Sequence, residues 1–184
     1  MRLNRGAGLR GVAGIRAEAL VPGSHFPLLR PLLGWEHSEL VQICAAAGII
    51  PVDDPSNLDE QFERVRIRKA LAADGWLDPK ALARSAAHLA GADEALDWMA
   101  ESLALARIVD DAEALRVDAK ELPPELQRRL LLIALKRFEA AEPRGTDLMR
   151  ALDALSEGKT TTLAGLKLEG GRIWRINAAP PRRR

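Results

Sequence analysis

One cysteine, Cys44, stands among 184 residues, so no internal disulfide braces this chain and no cysteine cluster holds zinc. That usage fits a reducing compartment, and a cytoplasmic location is expected. Charge of one sign is lacking too: 27 Lys and Arg stand against 26 Asp and Glu, a formal charge of +1. Any basic surface for an acidic partner must therefore come from local clustering. No run of about 18 apolar residues occurs, and the basic opening MRLNRGAGLRG leads into no hydrophobic signal core. Neither a membrane span nor a secretion signal is expected, and the chain reads as soluble. His25, His37 and His88 lie far apart without companions at ligand spacing, so no metal site is expected. The scattered Trp35, Trp76, Trp98 and Trp174 read as packing residues and not as base-stacking platforms.

What is present reads mainly α (α+β). The opening segment interleaves glycine and alanine with Arg2, Arg5, Arg10 and Arg16, as a loop approaching something anionic would. LLRPLLGW is a short apolar run broken by Pro31, suited to an edge strand or its exit. In EHSELVQICAAAG the residues Leu40, Ile43, Cys44 and Ala47 share one helical face, which places Cys44 in a core, and Gly48 supplies a left-handed stop. IIPV then reads as a short strand, so Leu28 to Val52 has the strand, helix, strand order of an α/β layer.

Later segments are largely helical. DPKALARSAAHLAGADEALDWMAESLALARIV carries Leu82, Ala86, Leu89, Leu96, Met99 and Leu103 at helical spacing, with a bend allowed near Gly91. PPELQRRLLLIALKRFEAA begins with prolines and is apolar on a wide face, as a buried helix is. TDLMRALDALSEG is an amphipathic helix with Thr146 as its cap and Gly158 as its stop. TTTLAGLKLEGGRIWRIN reads as two β runs joined at Gly170 and Gly171, before the tail PPRRR. Boundaries are expected near Ala73 to Asp78 and near Glu142 to Gly145.

The stretch DDPSNLDEQFERVRIRKAL, residues 53–71, opens on two adjacent acids and a turn and goes on to four cations, Arg64, Arg66, Arg68 and Lys69. Asp54 and Ser56 can cap a helix beginning near Leu58, on which Glu60, Arg64 and Arg68 fall four apart with Arg66 pointing away. Those residues alone favour a solvated face on which Glu60 pairs with Arg64. The other reading is a set of guanidinium forks for a carboxylate or phosphate.

The order NRGAGLRGVAG, RPLL, DDPSN followed by RVRIR, and finally GKTTTLAGLKLEGGRIWRI closely resembles the tRNA(Ile)-lysidine synthase family across nearly the whole chain. The resemblance implies ATP-dependent joining of free lysine to the anticodon cytidine of an isoleucine tRNA through an adenylated base, with Mg²⁺ on the phosphates. It implies residues 1–75 as the C-terminal remnant of a Rossmann-like α/β ATP-pyrophosphatase domain, 76–143 as a helical tRNA-facing domain and 144–184 as a small helix and β-hairpin element. Arg5, Gly6 and Gly8 match the arginine-glycine motif near the ATP phosphates. Asp54, Ser56 and Asn57 match the acidic-serine-asparagine turn, and Arg64 and Arg68 match the outer arginines of Arg-Asn-x-Ile-Arg, for lysine or tRNA.

Two departures matter. Position 65 is valine where the family has asparagine, and the family's Ser-Gly-Gly-x-Asp-Ser phosphate loop and His-x-x-Asp-Asp-x-x-Glu-Thr segment do not occur. The expectation is a chain that begins inside the catalytic domain, is inactive alone and exposes an apolar face, with aggregation or a homodimer as the consequence. Arg128, Arg129, Lys136, Arg137, Arg172, Arg175 and Arg182 to Arg184 are candidates for tRNA backbone contact. The alternative function is a non-catalytic helical module that binds RNA or a protein.

Overall fold

The structure is a computed structural model that describes residues 2–21, 24–52, 54–75, 77–112 and 114–179. Trp76 and Arg182 to Arg184, singled out above, lie outside the described residues, as does Asp53 of the quoted stretch. Backbone contacts divide the chain into two compact units, Met1–Asp93 and Glu94–Arg184.

The first unit opens with a 3₁₀ turn, Leu3–Arg5, and a one-turn helix α1, Leu9–Val12, where the sequence reads as loop. Strands β1 (Glu18–Leu20) and β2 (Pro27–Leu29) form an antiparallel pair, with Glu18 opposite Leu29. The chain leaves β2 just ahead of Pro31, as proline's missing donor requires. Helix α2 (His37–Ala46) starts with a reciprocal capping box, in which the Glu36 amide donates to Glu39 Oε2 at 2.7 Å. It stops at Gly48, whose φ of 69° is left-handed.

Two expectations fail here. IIPV forms no strand, and Ile50 and Val52 are more than nine-tenths exposed; strand propensity needs a paired neighbour, which the described residues do not offer it. The strand, helix, strand layer is therefore absent from residues 28–52. Cys44 is half-buried and not core. Phe26, Leu29, Trp35 and Ile43 are about half exposed or more.

Helix α3 (Glu63–Asp74) and helix α4 (Pro79–Arg107) follow. α4 runs for 29 residues without a break at Gly91.

The second unit contains the end of α4, then β3 (Ile108–Asp111), β4 (Ala114–Val117), α5 (Pro124–Arg137), α6 (Gly145–Ser156), β5 (Thr160–Leu163), β6 (Leu166–Glu169) and β7 (Trp174–Ala178). Its five-stranded sheet is antiparallel throughout, in the order β3-β4-β7-β6-β5. Leu115, Val117, Leu168 and Ile176 point to one side of that sheet and pack with Leu130, Leu131 and Leu135 of α5 and Leu155 of α6. Residues on both sides of 143 thus share one core.

The expected terminal hairpin is a three-stranded piece. Ala164 and Gly165, with φ of 49° and 80°, make a two-residue turn between β5 and β6 that matches the twist of a hairpin, while Gly170 and Gly171 lead from β6 toward β7. β3 and β4 were not anticipated, because IVDD and ALRV follow an Ala- and Leu-rich helical stretch without a strong alternating pattern. Thr146 sits inside α6, whose N-cap is Arg144. Gly158, φ 73°, ends α6 as expected.

Two glycines predict opposite outcomes. A methyl at Gly170 would lie 2.6 Å from the Leu155 carbonyl oxygen, so Gly170→Ala lowers the thermal midpoint. At Gly91, inside α4, nothing lies within 4 Å of an added Cβ, so Gly91→Ala stabilises by about 0.5–1 kcal/mol. Paired melts of the two variants check both signs.

Candidate functional site

Arg5 closes the first 3₁₀ turn, and Gly6 follows with φ 66°, its amide donating to the Leu3 carbonyl at 3.0 Å. A β-carbon at position 6 would be strained in this left-handed conformation. Gly8 differs: it is the N-cap of α1 with an ordinary φ of −68° and nothing within 4 Å of an added Cβ. Its carbonyl accepts from the amides of Gly11 and Val12 at 2.9 and 3.0 Å. Space beside an exposed backbone is what a phosphate-approaching loop needs.

Asp54 accepts the Ser56 amide at 2.9 Å and caps a 3₁₀ turn, Pro55–Asn57, not a long helix. The Asn57 amide donates to the Asp54 carbonyl at 2.9 Å. The Ser56 amide, then its hydroxyl, hold the Asp54 carboxyl below the ordinary aspartate value, with a smaller contribution from the Arg64 charge.

Because α3 begins at Glu63, Glu60 lies ahead of the helix and the expected Glu60–Arg64 pair does not form. Instead Glu60 pairs with Lys69 at 2.6 Å, which lowers its carboxyl. Arg66, expected to point idly away, donates to the carbonyls of Glu60 and Gln61 at 2.5 and 3.1 Å and clamps that turn onto the helix. The Arg64 guanidinium stacks over Phe62, 4.3 Å from the ring centroid. Arg68 is exposed and makes no ion pair or hydrogen bond among the described residues. Val65 is buried at 3% exposure; the position that departs from the family pattern faces inward, where an apolar side chain fits.

Two connections tie these segments into one unit. Arg5 forms an ion pair with Glu63, the first residue of α3, so the arginine-glycine turn is joined to the helix that carries Arg64 and Arg68. Arg10 and Arg16 both reach Asp93 Oδ2, at 3.2 and 2.8 Å. Sequence reasoning missed Glu63 and Asp93. Asp93 is separated from its partners by 83 and 77 residues, and its only local signal is an acid among the apolar positions of a helix.

The second unit sorts its basic candidates. Arg129 is 3% exposed and paired with Asp97 and Glu125, so it is a core cation and not a tRNA contact. Arg128 is also engaged, at 2.7 and 2.6 Å from the two Glu125 oxygens. Lys136, Arg172 and Arg175 are exposed, and Arg137 lies 3.7 Å from Asp110. Of the tryptophans, Trp174 packs in the core, whereas Trp35 and Trp98 are at least half exposed and do not serve as packing residues. Among the described residues no group of three or more His, Cys, Asp and Glu is placed to hold a metal such as Mg²⁺.

Since the folded-state pKa of Asp54 is depressed, its bonds to Ser56 hold the turn above the ordinary aspartate value and are lost as pH falls through the lower, folded value. The carboxyl carbon shift of Asp54 should therefore titrate below that of an unstructured aspartate. In Ser56→Ala, which keeps the amide but removes the hydroxyl, the midpoint should move part of the way back.

Residues 1–74 match the description of the PP-loop domain family. A tRNA(Ile)-lysidine synthase of Novosphingobium aromaticivorans is 46% identical over 185 aligned positions that take in all of this chain and 57% of the relative. One from Zymomonas mobilis is 38% identical, again over all of this chain and 57% of the relative, and one from Ruegeria pomeroyi is 37% identical over 92% of this chain and 42% of the relative. The chain therefore spans 42–57% of the length of these three relatives. Over its whole length the chain is similar to that portion of these tRNA(Ile)-lysidine synthases, and over residues 1–74 to the PP-loop domain family.

Proposed function

We propose that this chain forms part of a tRNA(Ile)-lysidine synthase, a ligase that joins free lysine to the anticodon cytidine of an isoleucine tRNA at the expense of ATP. The observation that carries the reading is the Arg5–Glu63 ion pair, which brings the arginine-glycine turn and the arginines of α3 into one patch of the first unit. In this reading residues 1–75 serve the nucleotide side, while 76–143 and 144–184 face the RNA. Cytoplasmic tRNA is the substrate pool.

Each group then has a chemical task. Arg5 and the open backbone at Gly6 and Gly8 hold phosphate oxygens of ATP, the guanidinium by charge and the loop by close approach. ATP supplies the adenylyl group that activates the cytidine C2 oxygen, with pyrophosphate released. The lysine amine attacks C2, a carbon–nitrogen bond forms, the carbon–oxygen bond to AMP breaks, and the amine loses a proton. Arg68, exposed and without an internal partner among the described residues, and Arg64, steadied by Phe62, suit the lysine carboxylate or an anticodon phosphate. Asp54, Ser56 and Asn57 shape the turn that leads into them.

The 184-residue chain by itself is expected to release no lysine- and tRNA-dependent pyrophosphate. Liquid chromatography of digested tRNA tests the ligase reading itself: the complete gene product should form lysidine in isoleucine tRNA, and binding of that tRNA without lysidine would favour a non-catalytic module instead.

Arg68→Ala and Arg64→Lys should each cut lysidine formation by kcat/KM about tenfold or more, roughly 1.4 kcal/mol of transition-state stabilisation. Separately, neutralising Lys136, Arg172 or Arg175 should reduce the salt slope of tRNA binding by about one for each true phosphate contact. Arg129→Gln should instead cost folding stability, because its buried charge is matched by Asp97 and Glu125.

A further inference from the structure

We propose that Asp93 is a positioning residue for the arginine-glycine loop, holding Arg10 and Arg16 so that Arg5, Gly6 and Gly8 stand in a binding-ready conformation; the proposal rests on the ligase reading above. Asp93 is 2% exposed. A carboxylate so deeply buried persists only where opposite charges and hydrogen bonds replace its water, and here Arg10 Nε and Arg16 Nη2 meet its Oδ2 at 3.2 and 2.8 Å. Both arginines come from one short segment, which is otherwise held by polar contacts such as the Arg5–Glu63 pair and not by an extended helix. Helix α1 is four residues long, far below the length at which a helix holds itself in water.

The attachment is reinforced along the backbone. Arg30 Nη1 donates to the Arg16 carbonyl at 2.9 Å, fixing the far end of the segment against the residue that follows β2. At the near end a Cβ on Gly11 would lie 2.7 Å from the Ala7 Cβ, so α1 closes tightly on the residue between Gly6 and Gly8. Beside the Arg5–Glu63 ion pair, the loop is thus held at Arg10 and at Arg16, and both of those bonds end on one carboxylate. Arg16 is largely covered while the Arg10 side chain stays 56% exposed: Asp93 orients a guanidinium that still faces solvent beside Gly8.

Amide hydrogen exchange and steady-state kinetics test this together. In the 184-residue chain, Asp93→Asn should speed exchange at the amides of Gly11, Val12 and Ala13 about tenfold and leave those of Leu168 and Ile176 unchanged. In the complete gene product the same change should raise KM for ATP about tenfold with kcat held within about threefold, and Asp93→Glu should recover most of the loss. Arg10→Gln, which keeps the Asp93–Arg16 pair, should give a smaller shift in both readouts and stands in if Asp93→Asn does not fold. Unchanged exchange at Gly11 to Ala13 overturns the proposal, and so does faster exchange with KM and kcat falling together or KM unmoved. A wild-type gene product that forms no lysidine sinks the ligase reading and the catalytic half of this proposal with it, while the exchange result still decides whether Asp93 anchors the loop.

Discussion

Buried charge, more than apolar contact, organises the first unit. Its described core holds few buried side chains, Ala13, Val65 and Asp93 among them, and much of its large apolar surface faces solvent. Under those conditions the bonds of Arg10 and Arg16 to Asp93 give the N-terminal segment a defined place on α4 that hydrophobic packing does not provide. The cost of burying a carboxylate is offset only when both guanidinium groups arrive with good geometry, so the arrangement is all-or-none in a way that a greasy contact is not.

The second unit is built on the opposite balance. A five-stranded sheet lays Leu168 and Ile176 against α5 and α6, and its one deeply buried cation, Arg129, has acidic partners on α4 and α5. Glu125, which meets both Arg128 and Arg129, keeps its carboxyl below the ordinary glutamate value chiefly through its bond to Arg128. Here polar contacts decorate a core that apolar area already supports.

What could be read from residues alone follows the range of the interactions. Helices α2, α5 and α6 were legible because spacing, proline starts and glycine stops are local signals, and Gly48 and Gly158 stop their helices where expected. The resemblance implied that Arg5 and Arg64 serve one site, and the Arg5–Glu63 pair puts the segments that carry them in contact. Long-range matters were not legible. IIPV has strand composition without a strand partner, Glu60 chooses Lys69 over Arg64 because α3 starts three residues later than Glu60, and Arg129 looks like any surface arginine until Asp97 is brought to it. Asp93 is the extreme case, since nothing within 70 residues of it hints at its partners.

The rim of the five-stranded sheet carries a last consequence. Its two outer strands, β3 and β5, are four residues each; β3 ends in Asp110 and Asp111, and β5 is entered from Lys159, whose ammonium pairs with Glu157. Short edges flanked by charge are poor templates for an incoming strand. Self-association through backbone pairing is therefore blocked at this sheet, and stickiness in a test tube would trace to bare side chains such as Phe26, Ile50 and Val52, a defect that a mild detergent masks and a salt gradient does not.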